Sequence, residues 1–290
     1  MSVSNPFFEI SLLPYQAPHF DEINDSHYRP AFDEAIRQKR ADIAAIVAQT
    51  AAPDFNNTVL ALEKSGAMLS RVSNVFFAMT SAHTNDDLQV LDEQFSTELA
   101  GLANDIWLNE TLFTRVESVW QDRAALDAES RRLVEETYQH FILAGARLND
   151  AGKTELKALN TESALLTSQF NQRLLAADKT GGLAVDYAYQ LEGLSADEMA
   201  TAAQAAAEKG LNDRWLIPLL NTTQQPALAA LTDRQTRENL FNAGWVRTQK
   251  GDENDPRGLI LRLVALRARQ AHLLGFDDYA SWSIADQMAK

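Results

Sequence analysis

Apolar residues recur every three to four positions along most of this chain, and the segments they define are parted by short polar breaks. That spacing is the mark of amphipathic helices. After a proline-spaced leader, Tyr28, Phe32, Ile36, Ile43 and Ile46 or Val47 form the stripe of a first helix, expected to be capped by Ser26, to tolerate Pro30 in its first turn and to end near Thr50. Val59, Leu62, Leu69, Val72, Phe76 and Met79 predict one continuous second helix from about Asn57 to a polar break at Ser81 to Asn85. Leu88, Leu91, Phe95, Leu99, Leu102 and Ile106 mark a third, and shorter periodic stretches cover about 111–124 and 129–147.

The second half repeats this grammar with one interruption. Leu156, Leu159, Ser163, Leu166, Phe170 and Leu174 predict a long helix from about Thr154 to Asp178, stopped by Gly181 and Gly182. LAVDYAYQLEGL then alternates weakly and has room for a short strand, before Ser195 and Glu198, spaced as a capping box, open an alanine-rich helix closed by Gly210. RWLIPLLN, at Arg214 to Asn221, is apolar but contains Pro218, which confines it to an edge strand or an irregular buried segment. Helices resume at about Asp233 to Lys250 and Pro256 to Leu274, the latter with Asp255 as N-cap and Gly275 past its end. A last helix is expected from near Asp277, with Tyr279, Trp282, Ala285 and Met288 on one face, reaching Lys290 without a stop signal, as a chain cut inside an element would. The pattern predicts an all-α protein of mostly long antiparallel helices with one small β-hairpin around 183–221. It divides into a helical subdomain at 1–150 and a second part at 151–290 holding the long helix, the hairpin and the C-terminal helices.

Composition agrees. With 46% hydrophobic residues, 12 Gly and 8 Pro, the chain is too apolar for disorder and too poor in turn residues for an all-β fold. A formal charge of -14 sets up a field that repels nucleic acid and anionic lipid alike. The absence of cysteine removes disulfides, thiolate ligands and a cysteine nucleophile together. Residues 1–20 lack a positively charged n-region and carry Glu9, Pro6, Pro14 and Pro18, so they read as neither secretory signal nor membrane span, and the expected location is the cytoplasm.

A search for chemistry returns little. The five histidines, at 19, 27, 83, 140 and 272, include no pair three or four apart, and no HExxH occurs. Glu136 and His140 are four apart on a predicted helix and offer two metal ligands with no third, so a surface ion pair or hydrogen bond is the plainer reading. GxSxG, GxxxxGK[ST] and GxGxxG motifs are all missing. The carboxylate neighbours Asp86 and Asp87, Glu135 and Glu136, and Asp277 and Asp278 diverge by about 100° on a helix and read as solvated faces or N-terminal charges. No catalytic, cofactor-binding or metal residue is therefore assigned. Arg267 stands out because Ile260, Leu263, Val264, Ala271 and Leu274 place it on an apolar stripe. Burial there would force it to pair with a carboxylate, which makes it a structural or channel candidate. Trp215, Trp245 and Trp282 read as core, with groove lining as the alternative.

Several strings carry a family resemblance: DFNNTVLALEKSG, VFFAMTSAHTND, LNTESALLTSQFNQRLLAADKTGG, WLIPLLNTTQQPAL and LRLVALRARQAHLLGFDDYASWSIADQMAK. Together they span essentially the whole chain, and the pattern LRxxxAxLLGFxxYAxxxxADxMA ending at Ala289 is their most specific part. The chain resembles the N-terminal region of bacterial peptidyl-dipeptidases, in the thimet oligopeptidase and neurolysin family of zinc metallopeptidases. The resemblance implies a helical molecule split by a deep channel, with zinc held by HExxH and a later glutamate, and the motif glutamate activating water as general base. Short peptides would lose dipeptides from their free C-termini. Because no HExxH is present, no zinc or catalytic residue carries over to any position here. The resemblance then assigns the chain one wall and part of the lid of the channel, inactive alone and partnered by an absent catalytic domain. The competing reading is a self-standing α-helical binding or scaffold module.

Overall fold

The computed structural model describes residues 5–289, the side chain of Thr180 excepted, and divides into two compact units. One comprises Met1–Ser168 with Leu263–Lys290, the other Gln169–Arg262. In the first unit, Phe32 of α1 (Tyr28–Val47) is wholly buried. Its ring stacks on Phe95 of α4 (Asp86–Trp107) with centroids 3.8 Å apart, and meets Phe76 of α3 (Ala67–Ala82) edge-on at 5.4 Å. Tyr28 lies against Phe76 at 5.1 Å, and Phe7 of the leader lies against Tyr28 at 5.6 Å. Each such pair adds roughly 0.5–1.5 kcal/mol beyond the area it buries, so this cluster fixes how α1, α3 and α4 meet.

Helix starts follow side-chain chemistry closely. Asn85 caps α4, Asn109 caps α5 (Glu110–Gln121) and Asp127 caps α6 (Ala128–Leu143), each accepting a backbone N–H of the first turn. The first helix departs from expectation. Its entry is a 3-10 turn, Asp25–His27, capped by Asn24 rather than Ser26: the Asn24 oxygen accepts the Ser26 N–H at 3.2 Å and His27 Nδ1 accepts the Asn24 N–H at 3.2 Å. Asn24 and His27 close a reciprocal box, whereas the Ser26 hydroxyl is spent on Asn24.

The continuous helix expected from Asn57 is also broken. A π turn at Phe55–Leu60 leads into α2 (Ala61–Lys64), and the chain reverses at Gly66, with φ +74°, before α3. A Cβ on Gly66 would stand 2.5 Å from Lys39 Cδ, whose ammonium donates to the Ser65 carbonyl at 3.2 Å and hydroxyl at 2.6 Å. The apolar period reads straight through this break because one left-handed residue leaves both flanking stripes facing the same core. Arg115 of α5 secures the segment before α2. Though buried, it donates to the carbonyls of Gln49 (3.0 Å) and Ala51 (3.4 Å), to Asn57 Oδ1 (2.9 Å) and to Thr58 Oγ1 (3.3 Å).

α7 spans Asp150–Thr180, and its first part belongs to this unit. So does the later part of α11 (Arg257–Leu273), as well as α12 (Tyr279–Ser283). α12 corrects the expectation of a helix reaching the last residue: it lasts five residues, and 284–289 form turns and bends, Lys290 lying outside the described residues. Past Ile284, which still bonds Ala280 O, the contacts tighten to the three-residue spacing of Gln287 N to Ile284 O. Ile284 and Met288 are exposed, so no burial rewards a longer helix.

The second unit holds the small sheet. β1 (Gly182–Val185) pairs antiparallel with β2 (Trp215–Pro218), with Gly182 opposite Pro218 and Val185 opposite Trp215. Between them runs α8 (Ala196–Glu208), opened by the expected box: the Ser195 N–H donates to Glu198 Oε2 at 2.7 Å and the Glu198 N–H to Ser195 Oγ at 3.3 Å. α9 (Asn221–Ala230), absent from the expectations, forms despite Pro226 in its interior, and α10 (Arg234–Trp245) follows, capped by Asp233. Ala227 and Leu231 join Val185, Leu191, Ile217, Leu219 and Leu240 in one core, and that burial outweighs the backbone hydrogen bond Pro226 forfeits.

Replacing Arg115 with Met keeps much of the stem volume and removes every guanidinium contact, leaving two carbonyls and two side-chain oxygens without this donor. Urea unfolding should show a loss of about 2–4 kcal/mol.

Candidate functional site

Four helices of the first unit bring polar side chains to the mouth of an open cleft of about 390 Å³. Trp107 and the buried Asn104 come from the end of α4, His140 from α6, Asn160 from α7 and Gln270 from α11, while Trp282 and Asp286 close one side. The amides form a chain: Asn160 Nδ2 donates to Asn104 Oδ1 at 2.7 Å, and Gln270 Nε2 donates to Asn160 Oδ1 at 2.7 Å. The Trp282 indole donates to the Leu143 carbonyl at 2.9 Å, which pins α12 to the end of α6. Gly145, at φ +93°, allows α6 to end there, since a Cβ would meet Leu156 at 2.8 Å. An ion pair between Arg269 and Glu155 ties α11 to α7 and holds the Glu155 carboxyl below its ordinary pKa.

The sequence offered little sign of this cleft. Asn160 falls four residues after Leu156, and Gln270 four after Leu266, so both occupy stripe positions where an apolar residue is the norm. Asn104, between Leu102 and Ile106, carries no local signal at all.

His140 is part of the cleft but not of a metal pair with Glu136. Its ring reaches solvent at one edge and packs on Trp107 with centroids 4.1 Å apart, while Glu136 is ion-paired with Arg132 one turn earlier. Partial loss of hydration lowers the His140 pKa, and the nearby Asp286 carboxylate acts weakly the other way. Among the described residues no group of three or more His, Asp or Glu could hold a metal ion. The carboxylate neighbours have separate local duties. Asp86 and Asp87 lie in the first turn of α4, Glu135 pairs with Arg123 at 3.4 Å, and Asp278 caps α12.

Arg267 is exposed rather than buried, and its guanidinium lies over the Tyr279 ring, 4.9 Å from the centroid. The buried face of α11 is Leu259, Leu263 and Leu266, rotated from the stripe read in the sequence, with Ala271 buried separately near the helix end. Apolar residues fall on two sides of this helix, so periodicity could not say which side turns inward. Of the tryptophans, Trp282 lines the cleft and Trp215 borders the core of the second unit. Trp245 is exposed and stacks on Phe241 at 5.8 Å. The second unit has a smaller hollow of about 200 Å³ between α8, β2 and α9, where Glu198 is already engaged by Ser195.

Comparison with known proteins settles kinship. The chain is 66% identical over 289 residues to the dipeptidyl carboxypeptidase of Salmonella typhimurium and 65% identical over 292 residues to that of Escherichia coli. These matches cover 99% and 100% of this chain. The chain is a homologue of the dipeptidyl carboxypeptidases. Residues 227–290 match the model of peptidase family M3. A more distant relative, the organellar oligopeptidase A of Arabidopsis thaliana, is 25% identical over 294 residues, covering 99% of the chain and 36% of that protein. The chain spans only 42% and 43% of the two bacterial dipeptidyl carboxypeptidases, less than half of either. No helix among the described residues is long and apolar enough to cross a membrane.

His140 should titrate below 6.5 in a proton NMR titration; Trp107→Leu should raise its pKa and Asp286→Asn should lower it further. Because the folded value is depressed, the linked stability is complete above about pH 6.5 and declines as pH falls through that value, where the unfolded chain takes the proton first. Solvent at the ring edge keeps this contribution under about 1 kcal/mol.

Proposed function

We propose that this chain is the channel-wall and lid portion of a cytoplasmic zinc dipeptidyl carboxypeptidase that removes C-terminal dipeptides from short peptides. The observation that carries this reading is identity of 65–66% along the whole chain to enzymes of that name, more than twice as long as the aligned part. Zinc and the groups that activate water would come from polypeptide beyond these residues, since no HExxH occurs in this sequence. The contribution of this part is shape. Packed helices that admit a flexible peptide and exclude a folded protein filter substrates without a reactive side chain.

The cleft bears on substrate handling. The amide chain of Asn104, Asn160 and Gln270 offers hydrogen bonds to a peptide backbone, a contribution to positioning. Arg267, exposed above Tyr279, remains a channel candidate in this reading, its charge available to a peptide carboxylate.

The test is a graft. This chain replaces the aligned 43% of the E. coli dipeptidyl carboxypeptidase, and the grafted enzyme and the chain alone are each incubated with zinc and a peptide bearing a free C-terminus. Mass spectrometry should show dipeptide release by the graft and none by the chain alone. Release by the chain alone, or none by a folded graft, would contradict the reading.

A further inference from the structure

α11 has two apolar faces and buries one. At about 100° per residue, Leu259, Leu263 and Leu266 group on one side, and Leu261, Val264, Ala265 and Ala268 group on the opposite side. The first group is 9%, 8% and 1% exposed, whereas Leu261 is 74% and Val264 60% exposed, with Ile260 at the margin at 42%. Ala265 and Ala268 are exposed as well. Arg262 and Arg269 on one side and Arg267 on the other separate the two apolar faces, and leaving the second face in water forfeits the hydrophobic term its burial would supply. Exposed leucine and valine are ordinary when scattered; here they form one stripe, at i, i+3, i+4 and i+7, along two turns of a single helix.

Two observations point to the occupant. α11 lies inside the segment that matches the family M3 model, 227–290. More than half of each bacterial dipeptidyl carboxypeptidase lies outside the aligned region, length enough in those relatives for further helices. The flat surface at Ala265 and Ala268, flanked by Leu261 and Val264, suits the ridge of another helix at close range.

We infer that the Leu261, Val264, Ala265 and Ala268 face of α11 is the seat of an apolar helix from the part of the peptidase that this chain does not include. The inference rests on the reading of the chain as part of a longer family M3 enzyme. It makes α11 a central helix, covered on both sides.

Hydroxyl-radical footprinting of the isolated chain and of the graft tests this, with exposed Val90 on α4 as the internal reference. Leu261 and Val264 should label readily in the isolated chain and about tenfold less in the graft, while Val90 changes little. Leu261→Asp should leave the melting temperature of the isolated chain unchanged and lower that of the graft. Equal labelling of Leu261 and Val264 in both proteins overturns the inference. So does protection in the isolated chain that grows with its concentration, which would make a second copy the occupant. Footprinting does not depend on turnover: an inactive graft with protected Leu261 retains this inference and sinks the proposed activity, and an active graft with unprotected Leu261 does the reverse.

Discussion

The stacking of Phe32 on Phe95 is the contact on which the first unit depends. It locks α1 to α4 at the point where Phe76 closes the same aromatic cluster from α3, and the three rings are fully buried. α4 then continues for three turns beyond Phe95 and delivers Asn104 and Trp107 to the cleft. A core of this kind sets the positions of polar groups farther along the same rigid helix, which is why the cleft is well defined.

Polar side chains do two separate jobs in this molecule. At helix ends, Asn24, Asn85, Asn109, Asp127, Ser195, Asp233 and Asp278 satisfy backbone donors that no carbonyl reaches, and their chemistry is local. In the interior, Arg115 and the Asn104, Asn160 and Gln270 chain join segments far apart in sequence. The first kind accounts for three aspartates, Asp127, Asp233 and Asp278, by local duty alone. The second kind specifies geometry, since a buried polar group is tolerated only where its partners are in place.

Two surface features set this chain apart. α11 carries an exposed apolar stripe opposite its buried leucines, and Trp245 and Phe241 stack in the open. Under the proposed reading, both would be faces that further polypeptide covers.

Sequence by itself determined the all-α class, most helix positions, the capping box at Ser195 and Glu198, and the small sheet at Gly182–Val185 and Trp215–Pro218, because these depend on periods of 3.6 and 2 and on side chains within a few residues of the backbone they serve. It also carried the family resemblance, in strings such as LLGFDDYA that a comparison reads directly. Tertiary structure decided the rest. Periodicity could not reveal the break at the left-handed Gly66, beside which Lys39 from another helix packs, or α9, kept whole around Pro226 by burial. The buried side of α11, and with it the exposure of Arg267, was likewise open, because a helix with two apolar faces has no preferred one until its neighbours choose it. The amide chain in the cleft was the least legible feature: three polar residues more than fifty positions apart become one site only when α4, α7 and α11 are packed together.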